Sequence, residues 1–274
     1  MKRVIPFCLC FLCILSAYTE SFPFGKKYYY PTESGNLIIN EKSIVKNDVL
    51  SESTIHFDEF LTILKTEKEK YIVLNCDFDK LSFLTIVKQI SNSEKHVKNW
   101  EIYYSTDTNP LLSTSPKLQG FKVVNADNYI VETRKDGSKI EYIPDRYFSL
   151  NENPWAVKHD SERKVISLNT DIYRVQGFKY YSVNYIVIVN GFVSAEKDYL
   201  YEQNSRAKRI RISYDDVSFI TELQDTGNFQ YLKLPKTIDP KKNITLDLEI
   251  LDAYPGTKYS DIVISGVYYV DAQM

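Results

Sequence analysis

Glycine is scarce in this chain of 274 residues, which has only 9. No two glycines lie closer than ten positions apart, so the chain contains neither the G-x-G-x-x-G of a dinucleotide-binding fold nor a P-loop. The sequence therefore excludes nucleotide-binding folds of these two types.

Histidine and cysteine are rarer still, with 3 and 4 residues. The histidines, His56, His96 and His159, are too far apart for a zinc-binding motif, and neither H-E-x-x-H nor G-x-S-x-G occurs. A Ser-His-Asp arrangement that forms only in space stays open, as does a pair of acids at glycosidase spacing, because 36 Asp and Glu residues are available. Without a specific signature, we predict a protein that is not an enzyme and holds no cofactor.

The chain also has no large excess of positive or negative charge, since 34 Lys and Arg nearly balance 36 Asp and Glu for a net charge of -2. Binding to the phosphates of a nucleic acid needs a concentrated basic face. The basic run of Arg206, Lys208, Arg209 and Arg211 is typical of a solvated strand, because alternate residues point to opposite faces. We therefore predict no nucleic-acid partner.

The first residues follow the pattern of a secretory signal peptide. A charged start over residues 1–3 precedes an apolar stretch over residues 4–15 and small residues at 16–17. The apolar stretch is shorter than the roughly 20 residues that span a membrane. We predict a signal peptide over residues 1–21 and a mature protein that is secreted or stays in the periplasm or on the outer surface.

Three of the four cysteines, Cys8, Cys10 and Cys13, lie in this segment. A lipoprotein signal requires a small residue before its cysteine, and Leu12 precedes Cys13, so membrane association through lipidation is disfavoured. The mature chain retains Cys76, which follows an apolar strand and is interpreted as a packed thiol rather than a nucleophile.

Residues 22–118 are predicted to form a small α/β or α+β domain. Two apolar sets at helical spacing predict helices, and Asp79 is the predicted cap of the second. Short apolar runs at 71–74 and 100–104 predict strands, and turn formers at 109–116 suggest a linker. The two helical sets are Phe57, Phe60, Leu61 and Leu64, and Phe83, Ile86, Val87 and Ile90.

Residues 119–274 have the alternating pattern of strands with one buried face. Ile210 and Ile212 alternate with polar residues, as do the apolar residues of 244–250. Turn signals such as Asp136-Gly137 and Asn190-Gly191 separate these segments. The pattern predicts a mainly β fold, a β-sandwich or jelly roll. Further strands are predicted at 122–124, 129–133, 183–189, 219–223, 229–234 and 262–270.

The region also resembles a known family in its last third. The segments that carry the likeness run from Glu202 to Ile212, from Leu223 to Thr226, from Phe229 to Pro235 and from Leu248 to Ser265. They are similar to the NADase-type glycan-binding domain, a discoidin-like, galactose-binding-like β-sandwich of bacterial secreted proteins. The resemblance implies a jelly-roll fold over roughly 122–270 and ligand recognition through loops at one end.

Trp155 is the first candidate for that recognition, because it follows Asn153-Pro154 where the family has a tryptophan. Two roles are open for it: its flat face stacks on a sugar ring, or it plugs the open end of the sandwich. The family's glycines after this position are replaced by Ser161-Glu162-Arg163, and its usual acid after the final Ile-Ser is Gly266. The other candidate ligand-binding residues are Asn190, Asn204, Arg206 and Tyr254.

A turn around Pro255-Gly256 is the remaining candidate element. The Pro-Gly pair predicts a type II turn with Gly256 at a positive φ angle. Asp252 and Asp261 flank it, where their carboxylates either fix the loop through backbone N–H groups or hold a calcium ion. No other metal site is predicted.

Together these features predict a secreted or cell-envelope binding module that is not catalytic, with a glycan as its ligand. The alternative is an envelope protein whose two regions serve protein contacts or structure without binding sugar. A third alternative, an enzyme with its catalytic unit in residues 22–118, has no active-site motif in its support.

Overall fold

The computed structural model describes residues 24–29, 36–57, 60–67, 69–78, 81–92, 95–105, 117–150, 153–170, 182–239 and 242–271. The predicted signal peptide, the predicted helix cap Asp79 and the predicted linker at 109–116 lie outside these ranges. Within them, no helix has the length and apolar character needed to cross a membrane.

The first part of the chain forms a closed barrel of eight antiparallel strands in sequence order. The barrel closes where the first strand pairs with the eighth, Tyr29 opposite Tyr104. Its strands are β1 (Lys27–Tyr29), β2 (Asn36–Asn40), β3 (Ser43–Lys46), β4 (Val49–Phe57), β5 (Thr62–Thr66), β6 (Lys70–Phe78), β7 (Leu81–Asn92) and β8 (Lys95–Ser105).

This barrel corrects the expectation of an α/β or α+β region. The first set of residues at helical spacing spans the end of β4 and the start of β5, and the second lies within β7. Short apolar runs fit both periods, and the β-branched Thr85, Ile86 and Val87 favour a strand. Strand β7 pairs with β8 from Ser82 opposite Ser105 to Asn92 opposite Lys95. The backbone hydrogen bonds of this pairing stabilise the strand, and they cannot be deduced from the secondary-structure propensity of the segment. The strands expected at 71–74 and 100–104 are confirmed in β6 and β8.

The second part is a larger sheet with one short helix. The sheet follows the order β10-β14-β19-β16-β20-β15-β18, with β9 and β13 on β20 and β17 on β16, and β11 and β12 form a separate hairpin. The elements are β9 (Lys117–Gly120), β10 (Lys122–Ala126), β11 (Ile130–Thr133), β12 (Lys139–Tyr142), β13 (Trp155–Val157), β14 (Val165–Asn169), β15 (Val183–Asn190), α1 (Tyr199–Gln203), β16 (Ser205–Tyr214), β17 (Val217–Glu222), β18 (Phe229–Ile238), β19 (Thr245–Tyr254) and β20 (Ile262–Asp271).

The alternating segments produce one core inside this sheet. Ile210 and Ile212 of β16 are buried, while Arg209, which precedes Ile210, is exposed, as the sequence predicts. Residues from strands far apart in the order, such as Leu168 of β14 and Leu234 of β18, meet in the same cluster. The sheet therefore folds over to enclose its own core, as in a sandwich.

A second core joins the barrel to this sheet through strand β15. Ile186 and Ile188 point into the sandwich core, whereas Val187 and Val189 pack in a cluster with Ile72 of the barrel. Because β15 is covered on both faces, its sequence is a nearly continuous apolar run rather than an alternating one. The two parts of the chain thus share a packed interface, and the boundary predicted at 118–119 falls within β9.

Candidate functional site

A cleft of about 570 Å³ opens between the β11–β12 hairpin, helix α1 and the segment before β20. This volume is within the range of small-molecule sites. The residues that line it are Ile130, Val131, Glu132, Tyr142, Ala156, Phe192, Lys197, Tyr199, Leu200, Gln203, Asn204, Lys258, Tyr259, Asp261 and Val263.

One wall of the cleft is acidic. The Tyr142 hydroxyl donates a hydrogen bond of 2.8 Å to Oε2 of Glu132 on the neighbouring strand. Burial, together with this hydrogen bond, raises the pKa of Tyr142 to about 12. The nearby Asp261 carboxylate accepts no hydrogen bond from the described residues, and its partial burial raises its pKa. Within the part of the chain that the structure describes, Asp261 therefore has acceptor capacity that no donor uses.

The cleft lining also contains tyrosines and lysines. Tyr199 at the start of α1 is 53% exposed and Tyr259 is 37% exposed. Lys258 places its Nζ 4.9 Å from the centre of the Tyr259 ring, and the hydrogen bond with that tyrosine raises the pKa of Lys258. Lys197 adds a second ammonium group. The cleft thus combines aromatic faces, hydrogen-bond donors and carboxylate acceptors.

The turn at Pro255-Gly256 shapes the cleft by closing the C-terminal end of α1. The N–H groups of Thr257 and Tyr259 donate to the carbonyl oxygens of Glu202 and Gln203 at 3.0 and 2.8 Å. The expected positive φ at Gly256 is wrong, since the positive-φ glycines of the described chain are Gly25, Gly137 and Gly191.

Gly256 is required for a different reason, which is a close approach of backbones. A Cβ at this position would lie 2.4 Å from the carbonyl oxygen of Gln203 and 2.5 Å from backbone atoms of Asn204 and Tyr259. The glycine therefore allows the turn to pack directly against the end of α1.

Trp155, the first candidate from sequence, is fully buried in the sandwich core. Its strand pairs with β20, and its indole Nε1 donates a hydrogen bond of 3.0 Å to the carbonyl of Asn128. The ring has no surface that a ligand reaches, although its neighbour Ala156 lines the cleft.

Asn190 and Asn204 are also buried, at 0% and 7% exposure. The Asn190 amide exchanges two hydrogen bonds with the backbone of Ala207, at 2.8 and 3.0 Å, and so links β15 to β16, which are not neighbours in the sheet. Asn204 lines the cleft, but its Nδ2 donates to the carbonyl of Leu200 at 2.8 Å. Both side chains therefore stabilise the local backbone instead of presenting free polar groups to a ligand.

Arg206 is 4% exposed and is surrounded by protein acceptors. Its Nε and Nη2 donate to the two carboxylate oxygens of Asp225 at 2.8 and 2.7 Å. Its guanidinium lies 5.0 Å from the ring centre of Phe60 in the barrel. Its Nη1 donates to the carbonyls of Tyr201, Glu202, Asn204 and Pro255. This arginine organises the elements behind the cleft and does not line it.

Tyr254 and Asp252 lie at the end of β19, outside the cleft lining. The Tyr254 hydroxyl donates to the carbonyl of Leu223 at 2.9 Å, and Lys208 lies 5.5 Å from the ring centre. The exposed Asp252 accepts the N–H of Ala253 at 2.9 Å. Among the described residues, no group of three or more His, Cys, Asp or Glu is placed to hold a metal ion.

Sequence reasoning therefore named Asn204 and Asp261 of the cleft and missed the tyrosines and Glu132. The sequence did contain a signal for the pairing of Glu132 with Tyr142. The turn at Asp136-Gly137 between two strand-like segments predicts a hairpin. Such a hairpin brings Glu132 and Tyr142 to one face.

Comparison with known proteins supports the fold of this part of the chain. A family model described as the NAD glycohydrolase translocation F5/8 type C domain matches residues 173–270, in the C-terminal half. This confirms the resemblance expected from the sequence and the mainly β, discoidin-like sandwich. The matched family is a binding type of module and not a catalytic family. No curated protein and no solved structure matches the chain.

The raised pKa of Asp261 gives a testable pH dependence of stability. Because burial favours the protonated form, the folded state binds the proton more tightly than the unfolded state, and stability falls as pH rises above the ordinary value of 3.8. Asp261→Asn should therefore stabilise the protein at about pH 7, by less than about 1 kcal/mol because water screens the cleft mouth. At about pH 3 the gain should vanish. Thermal unfolding at both pH values tests this, and a loss of stability at neutral pH would contradict it.

Proposed function

We propose that the cleft binds a carbohydrate and that the protein is a non-catalytic binding module. The observation that carries this proposal is a cleft that holds two exposed tyrosines, Tyr199 and Tyr259, together with the carboxylate of Asp261, which accepts no hydrogen bond from the described residues. An exposed aromatic face in a cleft offers apolar surface for the C–H face of a sugar ring. The Asp261 carboxylate then accepts hydrogen bonds from sugar hydroxyls.

The rest of the lining suits the same ligand. Glu132 has one oxygen engaged by Tyr142 and keeps further acceptor capacity, while Lys197 and Lys258 are donors. A sugar presents both hydroxyl donors and hydroxyl acceptors around an apolar ring face. A cleft with both kinds of partner beside aromatic rings matches that chemistry more closely than it matches a purely apolar ligand.

Export and the lack of catalysis belong to the same proposal. The signal-peptide pattern of residues 1–21 and the description of the matched family as a translocation domain both support an exported protein. The matched family is not catalytic, which supports a binding role. Release of sugar from a bound glycan, or loss of NAD on incubation with the purified protein, would contradict the non-catalytic part.

The binding test compares tyrosines inside and outside the cleft. The purified protein is screened on a broad glycan array, and the affinity for the glycans that bind is measured by calorimetry. Tyr199→Ala and Tyr259→Ala should each weaken binding by about 10-fold, as expected for the loss of one aromatic contact. Tyr231→Ala, at a 45% exposed position on β18 outside the lining, is the matched control.

Two outcomes of this test would reject the proposal. If no glycan binds, the carbohydrate part is wrong, and an envelope role in protein contacts becomes the better hypothesis. If Tyr231→Ala weakens binding as much as the cleft variants do, the ligand binds elsewhere on the protein.

A further inference from the structure

Helix α1, which forms one wall of the cleft, is too short to hold its own position. It has five residues, and a single turn of helix is marginal without tertiary contacts. The residue at its start, Asp198, makes no capping hydrogen bond with its side chain. The position of Tyr199 and Leu200 in the cleft therefore depends on what packs against the helix.

At the start of α1 the contact comes from the barrel. Nζ of Lys70, the first residue of β6, lies 2.6 Å from Oδ2 of Asp198. The two side chains are 30% and 24% exposed, so the ion pair is partly shielded from water. Asp198, with no capping role of its own, is thus tied to the barrel.

Behind α1 the barrel supplies an aromatic contact. The ring of Phe60 lies 5.5 Å from the ring of Tyr201 in α1 and 5.0 Å from the guanidinium of Arg206. Because Arg206 donates to the carbonyls of Glu202 and Asn204, its position sets the end of the helix.

The same barrel segment also holds the loop that anchors Arg206. The carbonyl of Phe60 accepts the N–H of Gly227 at 2.9 Å and the hydroxyl of Thr226 at 3.4 Å. A Cβ on Gly227 would lie 2.4 Å from the side chain of Leu61, so the barrel packs directly on this loop. Asp225, the carboxylate partner of Arg206, is in that loop.

From these contacts we infer that Phe60 and Lys70 of the barrel are positioning residues for the cleft. They hold α1, and with it Tyr199 and Leu200, in the arrangement that receives the ligand. The expected effect of these two residues on glycan affinity rests on the proposed function. Their role in immobilising α1 does not depend on a ligand and can be tested without one.

The test uses the whole chain and two variants with matched controls. Lys70→Met removes the ion pair and Phe60→Leu removes the ring. Lys65→Met, at an exposed position on β5, and Phe57→Leu, whose ring contacts Phe24 within the barrel, change the same residue types away from α1. Lys70→Arg and Phe60→Tyr, which keep the charge and the ring, should restore wild-type behaviour.

Amide hydrogen exchange without ligand is the first measurement. In Lys70→Met and Phe60→Leu, exchange in residues 199–204 should be about 10-fold faster than in the controls, while exchange in β16 and β20 is unchanged. Equal exchange of α1 in the variants and the controls would overturn the inference. If Phe60→Leu does not fold, Lys70→Met decides the question, because its side chain is partly exposed.

Glycan affinity is the second measurement. The two variants should bind about 3-fold to 10-fold more weakly than the controls, at unchanged overall stability for Lys70→Met. If the wild-type protein binds no glycan, the proposed function is wrong while the exchange result still decides the positioning role. If exchange of α1 rises but affinity is unchanged, these residues do not position the cleft for its ligand.

Discussion

Replacing Arg206 by methionine is expected to lower the free energy of unfolding by about 3–5 kcal/mol. The arginine is 4% exposed and forms a bidentate salt bridge with Asp225, whose side chain is 23% exposed. Methionine fills a similar volume, but it removes both donors from that carboxylate and the Nη1 donor from the carbonyls of Asn204 and Pro255. The unpaired charge and acceptors account for most of the loss.

Urea unfolding followed by circular dichroism measures this effect. Arg209→Met, at an exposed position on the same strand, is the control and should change stability by less than about 0.5 kcal/mol. The double variant Arg206→Met, Asp225→Leu should be more stable than Arg206→Met alone, since it removes the unpaired carboxylate. Equal stability of Arg206→Met and Arg209→Met would contradict the buried pair.

Truncating Trp155 to alanine should cost about 3–5 kcal/mol of unfolding free energy. The ring is 0% exposed, is among the largest buried side chains of the described chain, and donates a hydrogen bond to the Asn128 carbonyl. Its loss leaves a cavity in the sandwich core and an acceptor without its donor. Ile220→Ala, at a 53% exposed position, is the control and should cost far less.

The same residue separates a scaffold role from sugar stacking. Trp155→Phe keeps an aromatic ring in the core and should retain glycan binding, because the indole does not line the cleft. A Trp155→Phe variant of wild-type stability that no longer binds the glycan would contradict this account. In that case the ring would have to reach the ligand.

The sandwich was the predictable part of the fold. Apolar and polar residues alternate along β19 and around Ile210 and Ile212 of β16. Such alternation indicates a strand with one buried face. The barrel was not predictable in the same way. Apolar residues at i, i+3, i+4 and i+7 in β7 satisfied the helical pattern by chance, and only pairing with β6 and β8 decides the conformation.

The cleft was less predictable than the fold, because its residues come from three distant segments. Glu132, Tyr199 and Tyr259 carry no local motif and meet only through the hairpin, α1 and the turn before β20. Arg206 lies in the region of family resemblance, but whether such a residue contacts a ligand or the protein depends on burial. In this protein Arg206 is buried, and its guanidinium binds Asp225 and packs against the ring of Phe60.

The most direct test of the carbohydrate cleft is a two-dimensional NMR titration of the isotopically labelled protein with a glycan that binds on the array. We expect chemical-shift changes concentrated at the cleft lining, including Tyr199, Tyr259 and Asp261, and we expect these changes to be smaller in Tyr199→Ala. Shift changes confined to the barrel, or none with any glycan at millimolar concentration, would contradict this expectation.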